Sequence, residues 1–199
     1  MSSETSTTRK RAYRKRQRAE AEEATRQRIA VAAAELHEQV GPAQTTFSAV
    51  AERAGVQRGT VYRHFPDEAA LFEACSAHWN ARNAPPDPSP WSSIGDPDRR
   101  LRKALTELYA WYEQAEPMLE KLYRDVSLVP AVAHQLEASA VPYLGFVTDV
   151  LLAGRPRRKK VRAAIGHALA FETWRSLVRG QGLSSEDAVS LMVALVADA

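Results

Sequence analysis

Between positions 57 and 65 lies a set of side chains suited to hydrogen bonding with a nucleic acid. Arg58, Gly59, Thr60, Tyr62, Arg63 and His64 flank two apolar residues, Val61 and Phe65, which are four apart. On a helix that begins at Gln57 or Arg58 and ends at His64, Val61 and Phe65 form the buried side. The polar set then forms the outer side and its edges. Arginine donates to guanine in bidentate fashion, and threonine contacts a base edge or a thymine methyl. Tyr62 and His64 can donate to phosphates, which fixes register without reading sequence. A glycine inside a helix costs about 1 kcal/mol relative to alanine; at position 59 it lets another molecule approach the backbone closely. The chain has no HExxH, no GxSxG, no phosphate-binding glycine loop, and no histidines at metal-ligand spacing with cysteine or acids. Neither an enzyme nor a cofactor is expected.

Several elements must position that set. Upstream, Phe47, Val50, Ala51 and Ala54 recur at i, i+3, i+4 and i+7, so one face of a short helix is apolar. Thr46 is its N-cap. Gly55 stops it, because glycine takes left-handed angles without a Cβ clash, and Val56 plugs the corner. Before this pair, Ile29, Ala33, Leu36 and Val40 form a stripe that Gly41-Pro42 ends. Three helices would pack around Ile29, Leu36, Phe47, Val50, Val61 and Phe65. Asp67 caps a further helix to about Asn80, with Leu71, Phe72, Cys75, His78 and Trp79 inward. As the single cysteine, Cys75 excludes an intrachain disulfide and reads as a core thiol.

The run AVAERAGVQRGTVYRHFPDEAALF, residues 49–72, resembles the DNA-binding signature of the TetR family of bacterial transcriptional repressors. The likeness extends from Ile29 to about Phe72. It implies an all-α fold, with an N-terminal three-helix helix-turn-helix domain followed by a larger helical ligand-binding and dimerisation domain. By the resemblance Arg58, Gly59 and Thr60 face bases, and Tyr62 and His64 face the backbone. Thr46, Ser48 and Arg63 join the DNA-contacting set. The family usually places a lysine at the start of the next helix, where it meets a phosphate. Here Asp67-Glu68 stand instead, which suits a helix N-terminus but removes a cation from the interface.

The net charge of +3 is unevenly spread. Residues 1–28 carry nine Lys/Arg against four Glu, whereas residues 29–80 carry three Arg against six acids. Residues 9–18, RKRAYRKRQR, hold seven cations in ten positions. They read as an arm or helix extension that neutralises phosphates through Arg14, Arg16 and Arg18, with the minor groove as one destination. The expected organisation is a basic, disordered arm over 1–18, a helix-turn-helix domain over 19–66 and a connecting helix over 67–83. A Pro-rich loop over 84–97 and the ligand-binding and dimerisation domain over 98–199 follow.

The C-terminal half reads as helical throughout. Leu101, Leu105, Leu108 and Tyr109 start a long helix; Pro117 and Pro130 each suit the first turn of another. Pro142 should kink or break the pattern that continues to Leu151. Arg157–Gln181 reads as one long helix ended by glycines. Ser184 and Asp187 open the last helix, with Val189, Met192, Val193 and Val196. The basic run 155–162, RPRRKKVR, falls at a helix start, against the helix dipole. It reads as a solvated turn, with a second nucleic-acid site as the alternative. Trp111, Tyr112, Tyr123, Tyr143, Phe146 and Phe171 are candidates to line a pocket for an apolar or aromatic small molecule. The family resemblance implies a homodimer through the last two helices, with Trp174, Leu177, Met192 and Val193 as candidate contacts.

The function expected is that of a sequence-specific repressor on a near-palindromic operator in double-stranded DNA, released by its ligand. Residues 109–112 would sense the ligand, and the helix over 67–80 would transmit the shift. A low-specificity, nucleoid-type DNA-binding protein of the same fold, without an effector, is the alternative, and activation in place of repression stays open. No apolar run is long enough to span a bilayer and the N-terminus is too charged for a signal peptide. A cytoplasmic location is expected, with no membrane partner.

Overall fold

The structure is a computed structural model and describes residues 3–199; Met1 and Ser2, part of the expected arm, lie outside the described residues. Among the described residues the fold is all-α, without a strand. It divides into two compact units, Met1–Arg82 and Asn83–Ala199.

The first unit holds α1 (Ser3–Gln39), α2 (Phe47–Ala54), α3 (Arg58–His64) and α4 (Glu68–Asn80). Its core is Ile29, Ala33 and Leu36 from α1, Val50 and Ala51 from α2, and Val61 and Phe65 at α3. Leu71, Phe72 and Cys75 of α4 complete it. Two expectations are corrected. Residues 3–18 are the first turns of α1 and not a separate disordered arm. The strongly helix-favouring stretch after residue 19 continues backwards through Arg18, Arg16 and Arg14, which have high propensity of their own. Val40 lies beyond the end of α1 and is 37% exposed, so it is not part of the stripe. Phe47 is only half-buried; the reason lies in its packing on Tyr62, below. Cys75 is the expected core thiol. Its Sγ donates to the Phe72 carbonyl (3.2 Å) and lies 3.4 Å from His37 Nδ1, and burial pushes its pKa up to about 12.

The second unit is organised on α5 (Pro97–Asp125), with α6 (Pro130–Leu152), α7 (Lys159–Leu169), α8 (Phe171–Arg175) and α9 (Ser185–Ala197). Leu101, Leu105, Leu108, Tyr109 and Tyr112 of α5 are buried, and α5 packs against each of the other four. Pro117 lies inside α5 and starts no new helix. Pro142 likewise lies inside α6, which is not broken there. Both prolines are exposed, as are Glu113 and Ala138 four residues before them. Water can therefore satisfy the carbonyls that a proline cannot serve, while the buried residues to either side keep each helix whole.

The segment over 84–97 is not a plain loop. It contains a 3-10 turn, Ser89–Ser93, that buries Trp91. The Trp91 indole donates to Glu107 on α5 at 2.6 Å. The single helix expected over 157–181 is also broken. Ala170 is extended (φ −71°, ψ 136°), and a π-helical turn, Ser176–Gly180, follows α8. The carbonyls of Ala168 and Leu169, at the break, accept from the Tyr109 hydroxyl (2.9 Å) and the Tyr112 hydroxyl (2.6 Å). Carbonyls exposed by a helix end inside a core need such donors. Ser184 caps α9 as expected, its Oγ accepting from the Asp187 N–H at 3.0 Å and donating to the Asp187 carboxylate at 2.7 Å.

Candidate functional site

The turn between α2 and α3 is built by local chemistry. Thr46 Oγ1 accepts from the Ala49 N–H at 3.1 Å and fixes the start of α2. Gly55 takes φ 65°, ψ 40°, which lets Val56 N–H reach back to the Ala51 carbonyl at 2.9 Å. Val61 and Phe65, both fully buried, then seat α3. A residue absent from the expected set locks its far end. Arg26 of α1 donates through Nη1 to the His64 carbonyl at 2.8 Å, and its guanidinium lies 4.3 Å from the Phe65 ring centroid. The sequence carries a signal for it: Arg26 sits three residues before Ile29, hence on the same face of α1.

The outer side of α3 carries the expected set. Arg58 is exposed, donates to the Tyr62 hydroxyl at 3.0 Å and lies 5.4 Å from the Tyr62 ring centroid. Tyr62 is 44% exposed and packs its ring on Phe47, 4.7 Å between centroids. Phe47 thereby positions Tyr62, and Tyr62 positions Arg58. The Tyr62 oxygen accepts from Arg58, so its own hydrogen can be donated to a phosphate. Arg63, Thr46 and Ser48 are exposed, and Thr60 is half-buried. His64 needs a correction. Its Nε2 is buried without a hydrogen-bond partner, so a phosphate contact by this ring would run through Nδ1.

Gly59 is informative because the fold does not need it. A Cβ built there meets no heavy atom within 4 Å, and its φ is not in the left-handed region. Alanine at 59 would raise stability by about 1 kcal/mol or less. The empty space faces outward from the set just described. Gly59→Ala is expected to raise Tm; if α3 enters a DNA groove by this face, the added methyl should also weaken DNA binding, by about tenfold. Thermal melts and anisotropy titrations on one preparation would check both signs.

Charge is arranged as the composition suggested. Arg14, Arg16 and Arg18 lie on the stretch of α1 over 13–24 in which every residue is exposed; Arg16 pairs with Glu20 at 3.1 Å. At the start of α4, Asp67 accepts from the Ala70 N–H at 2.8 Å, and Glu68 is exposed beside it. The two acids serve the helix N-terminus.

In the second unit an aromatic cluster gathers four of the six candidate pocket residues. Phe171 stacks on Tyr123 (5.3 Å) and meets Tyr112 edge-on (5.4 Å), while Trp111 lies 5.4 Å from Tyr112. Trp174 joins at 5.5 Å from Phe171 and 5.9 Å from Tyr112. Burial raises the pKa of Tyr112 and Tyr123, the latter to about 12, so both stay neutral phenols. Tyr143 is half-buried and donates to the Pro86 carbonyl at 2.9 Å. Phe146 is 55% exposed, because its position on α6 faces solvent, and it does not belong to the cluster.

The candidate dimer contacts are also redistributed. Trp174, Met192 and Val193 are buried within their own unit and have almost no surface to offer a partner; Leu177 is half-buried. The large apolar side chains that α9 exposes are Leu191 (47%) and Leu195 (42%), four apart on one face. The outward side of the α9 stripe is therefore the opposite of the one expected from its periodicity.

A short helix, a left-handed glycine turn and a second helix with a polar outer face define a helix-turn-helix. Residues 29–75 match the family model of the bacterial regulatory proteins of the tetR family. The fold of the whole chain is TetR-like. It is similar to a TetR-like transcriptional regulator from Rhodococcus sp. RHA1 at 19% identity, covering 86% of this chain and 93% of that one, TM-score 0.61. It is also similar to NalD, the secondary repressor of the MexAB-OprM multidrug efflux pump in Pseudomonas aeruginosa, at 21% identity over 88% and 95% of the two chains, TM-score 0.57. PfmR, a TetR family transcriptional regulator from Thermus thermophilus, is similar at 18% identity over 84% and 96%, TM-score 0.58. No curated protein matches the chain by sequence. Among the described residues no helix is long and apolar enough to cross a membrane.

Proposed function

We propose that this chain is a sequence-specific DNA-binding transcriptional regulator, acting as a repressor that an apolar or aromatic small molecule releases from its operator. The observation that carries the reading is the outer face of α3. Arg58 stands on Tyr62 beside a glycine whose missing side chain nothing in the fold demands. Two protomers related by a two-fold axis would present two such helices to half-sites roughly 34–36 Å apart, or a multiple of that. The exposed Leu191 and Leu195 of α9 support a homodimer. The aromatic cluster around Phe171 supports an aromatic or apolar effector. Such a ligand acts only through its different affinity for the DNA-competent and the incompetent states.

The test is an anisotropy titration of the purified protein on DNA from upstream of its own gene, over a salt series, with random DNA of equal length as competitor. A preference of roughly a thousandfold or more supports the regulator. Equal affinity for both, with a steep salt slope, supports the low-specificity reading, in which the basic turns of α1 supply the binding.

A further inference from the structure

The junction between α6 and α7 forms an open cavity of about 580 Å³ whose wall is dominated by cations: Arg155, Arg157, Arg158, Lys159 and Arg162. Asp149 is the acid among its lining residues, and it is engaged with Arg162 at 2.6 Å. Among the described residues no ion pair holds Arg157, Arg158 or Lys159.

Three features make this more than a solvated turn. First, the cations stand at the wrong end of a helix. α7 begins at Lys159, its N-cap Arg158 makes no side-chain capping bond, and the positive end of the helix dipole adds to the basic run. An anion seated there would meet both the dipole and the unserved N–H groups. Second, the neighbouring negative helix end is already neutralised. Buried Arg100 donates to the Ala153 carbonyl at 2.6 Å and the Val150 carbonyl at 3.3 Å, at the C-terminus of α6. Those carbonyls have a cation of their own and leave the cavity's cations uncompensated. Third, Arg155 is fixed and incompletely satisfied. Its side chain is only 8% exposed, and Nη2 donates to Asp98 at 2.6 Å and to the Pro97 carbonyl at 2.9 Å. Its Nε, however, is buried without a partner. That N–H has almost no accessible surface, so Arg155 serves the cavity as a fixed positive charge in its wall.

We propose that this cavity binds a small molecule through a multiply charged phosphate group, of the diphosphate or triphosphate class. Three unpaired cations match an anion of more than one charge, and guanidinium groups suit phosphate oxygens in bidentate fashion. A volume of this size belongs to small-molecule sites, and the concavity fits a compact group better than a duplex backbone. The site shares no residue with the aromatic cluster or with α3, so it stands whether or not the regulator reading does.

The test uses the full chain and inorganic pyrophosphate in isothermal titration calorimetry, with ionic strength held constant by sodium chloride. The expected result is saturable binding at one pyrophosphate per chain, with sulfate a poor competitor. Arg157→Gln with Arg158→Gln, both at exposed positions, should weaken it about tenfold or more. The unliganded Tm of this variant should match the parent's, and Lys160→Gln, outside the cavity, should leave affinity within about twofold. No saturable binding, equal competition by sulfate, or unchanged affinity in the double variant each overturns the proposal. So does a random DNA duplex that displaces pyrophosphate and itself loses affinity in the double variant, since the occupant would then be nucleic acid.

Discussion

Replacing Arg58 with alanine is expected to erase the preference for the operator while leaving the protein folded and still bound to DNA. A bidentate arginine–guanine contact discriminates by about 1–3 kcal/mol, and the two-fold complex proposed above would make it twice. The specificity ratio should therefore fall by roughly thirtyfold to twenty-thousandfold. Arg58 is exposed, so stability should hold within about 0.5 kcal/mol. The slope of affinity against salt should also hold, because base contacts do not release phosphate counterions. Neutralising Arg14, Arg16 and Arg18 should do the converse. It should flatten the slope by roughly 0.9 for each phosphate no longer neutralised and leave the specificity ratio in place. Anisotropy on specific and random duplexes at several salt concentrations separates the two. An Arg58→Ala variant that keeps its operator preference would remove α3 as the reading element.

The second large effect concerns stability. Phe171 is 1% exposed and touches Tyr112, Tyr123 and Trp174 through its ring. Phe171→Ala removes the centre of that cluster and should cost about 3–5 kcal/mol in urea unfolding, transfer and cavity contributions together. The residue also lies directly after the extended Ala170, where Tyr112 is committed to the Leu169 carbonyl. The ring's neighbours are thus held in place and cannot close easily on the gap. A loss below about 1 kcal/mol would mean that the cluster relaxes freely into the space the ring leaves.

Whatever rests on local chemistry is legible in the sequence. Thr46, Gly55, Asp67 and Ser184 each act within a turn of the chain. They set the limits of α2, the turn, α4 and α9, and the outer set of α3 follows from the burial of Val61 and Phe65. What is not legible depends on residues distant in sequence. The break at Ala170 has no glycine or proline to announce it; it is stabilised by hydroxyls from Tyr109 and Tyr112, 59 and 57 residues away from the carbonyls they serve. Trp91 looks like part of a loop because its partner, Glu107, lies on the next helix. Pro117 and Pro142 look like helix boundaries because propensity knows nothing of which side faces water. On α9 the apolar residues outnumber what one face can hold, so periodicity alone does not decide which are inward.

The length of α1 sets a ruler. From Arg14 to Ile29, where the core begins, the chain advances fifteen residues along an unbroken helix, about 22 Å at 1.5 Å per residue. Measured along a duplex at about 3.4 Å per base pair, that is six or seven pairs. A limp tail would spread its cations over whatever phosphate is near. A stiff one delivers Arg14 and Arg18, four apart on one face, at one offset, with Arg16 on the opposite side. Inserting a single residue between Arg18 and Ile29 turns the face of Arg14 and Arg18 by about 100°, and inserting seven nearly restores it. Affinity should therefore rise and fall with the helical repeat of the protein rather than decline smoothly with added length.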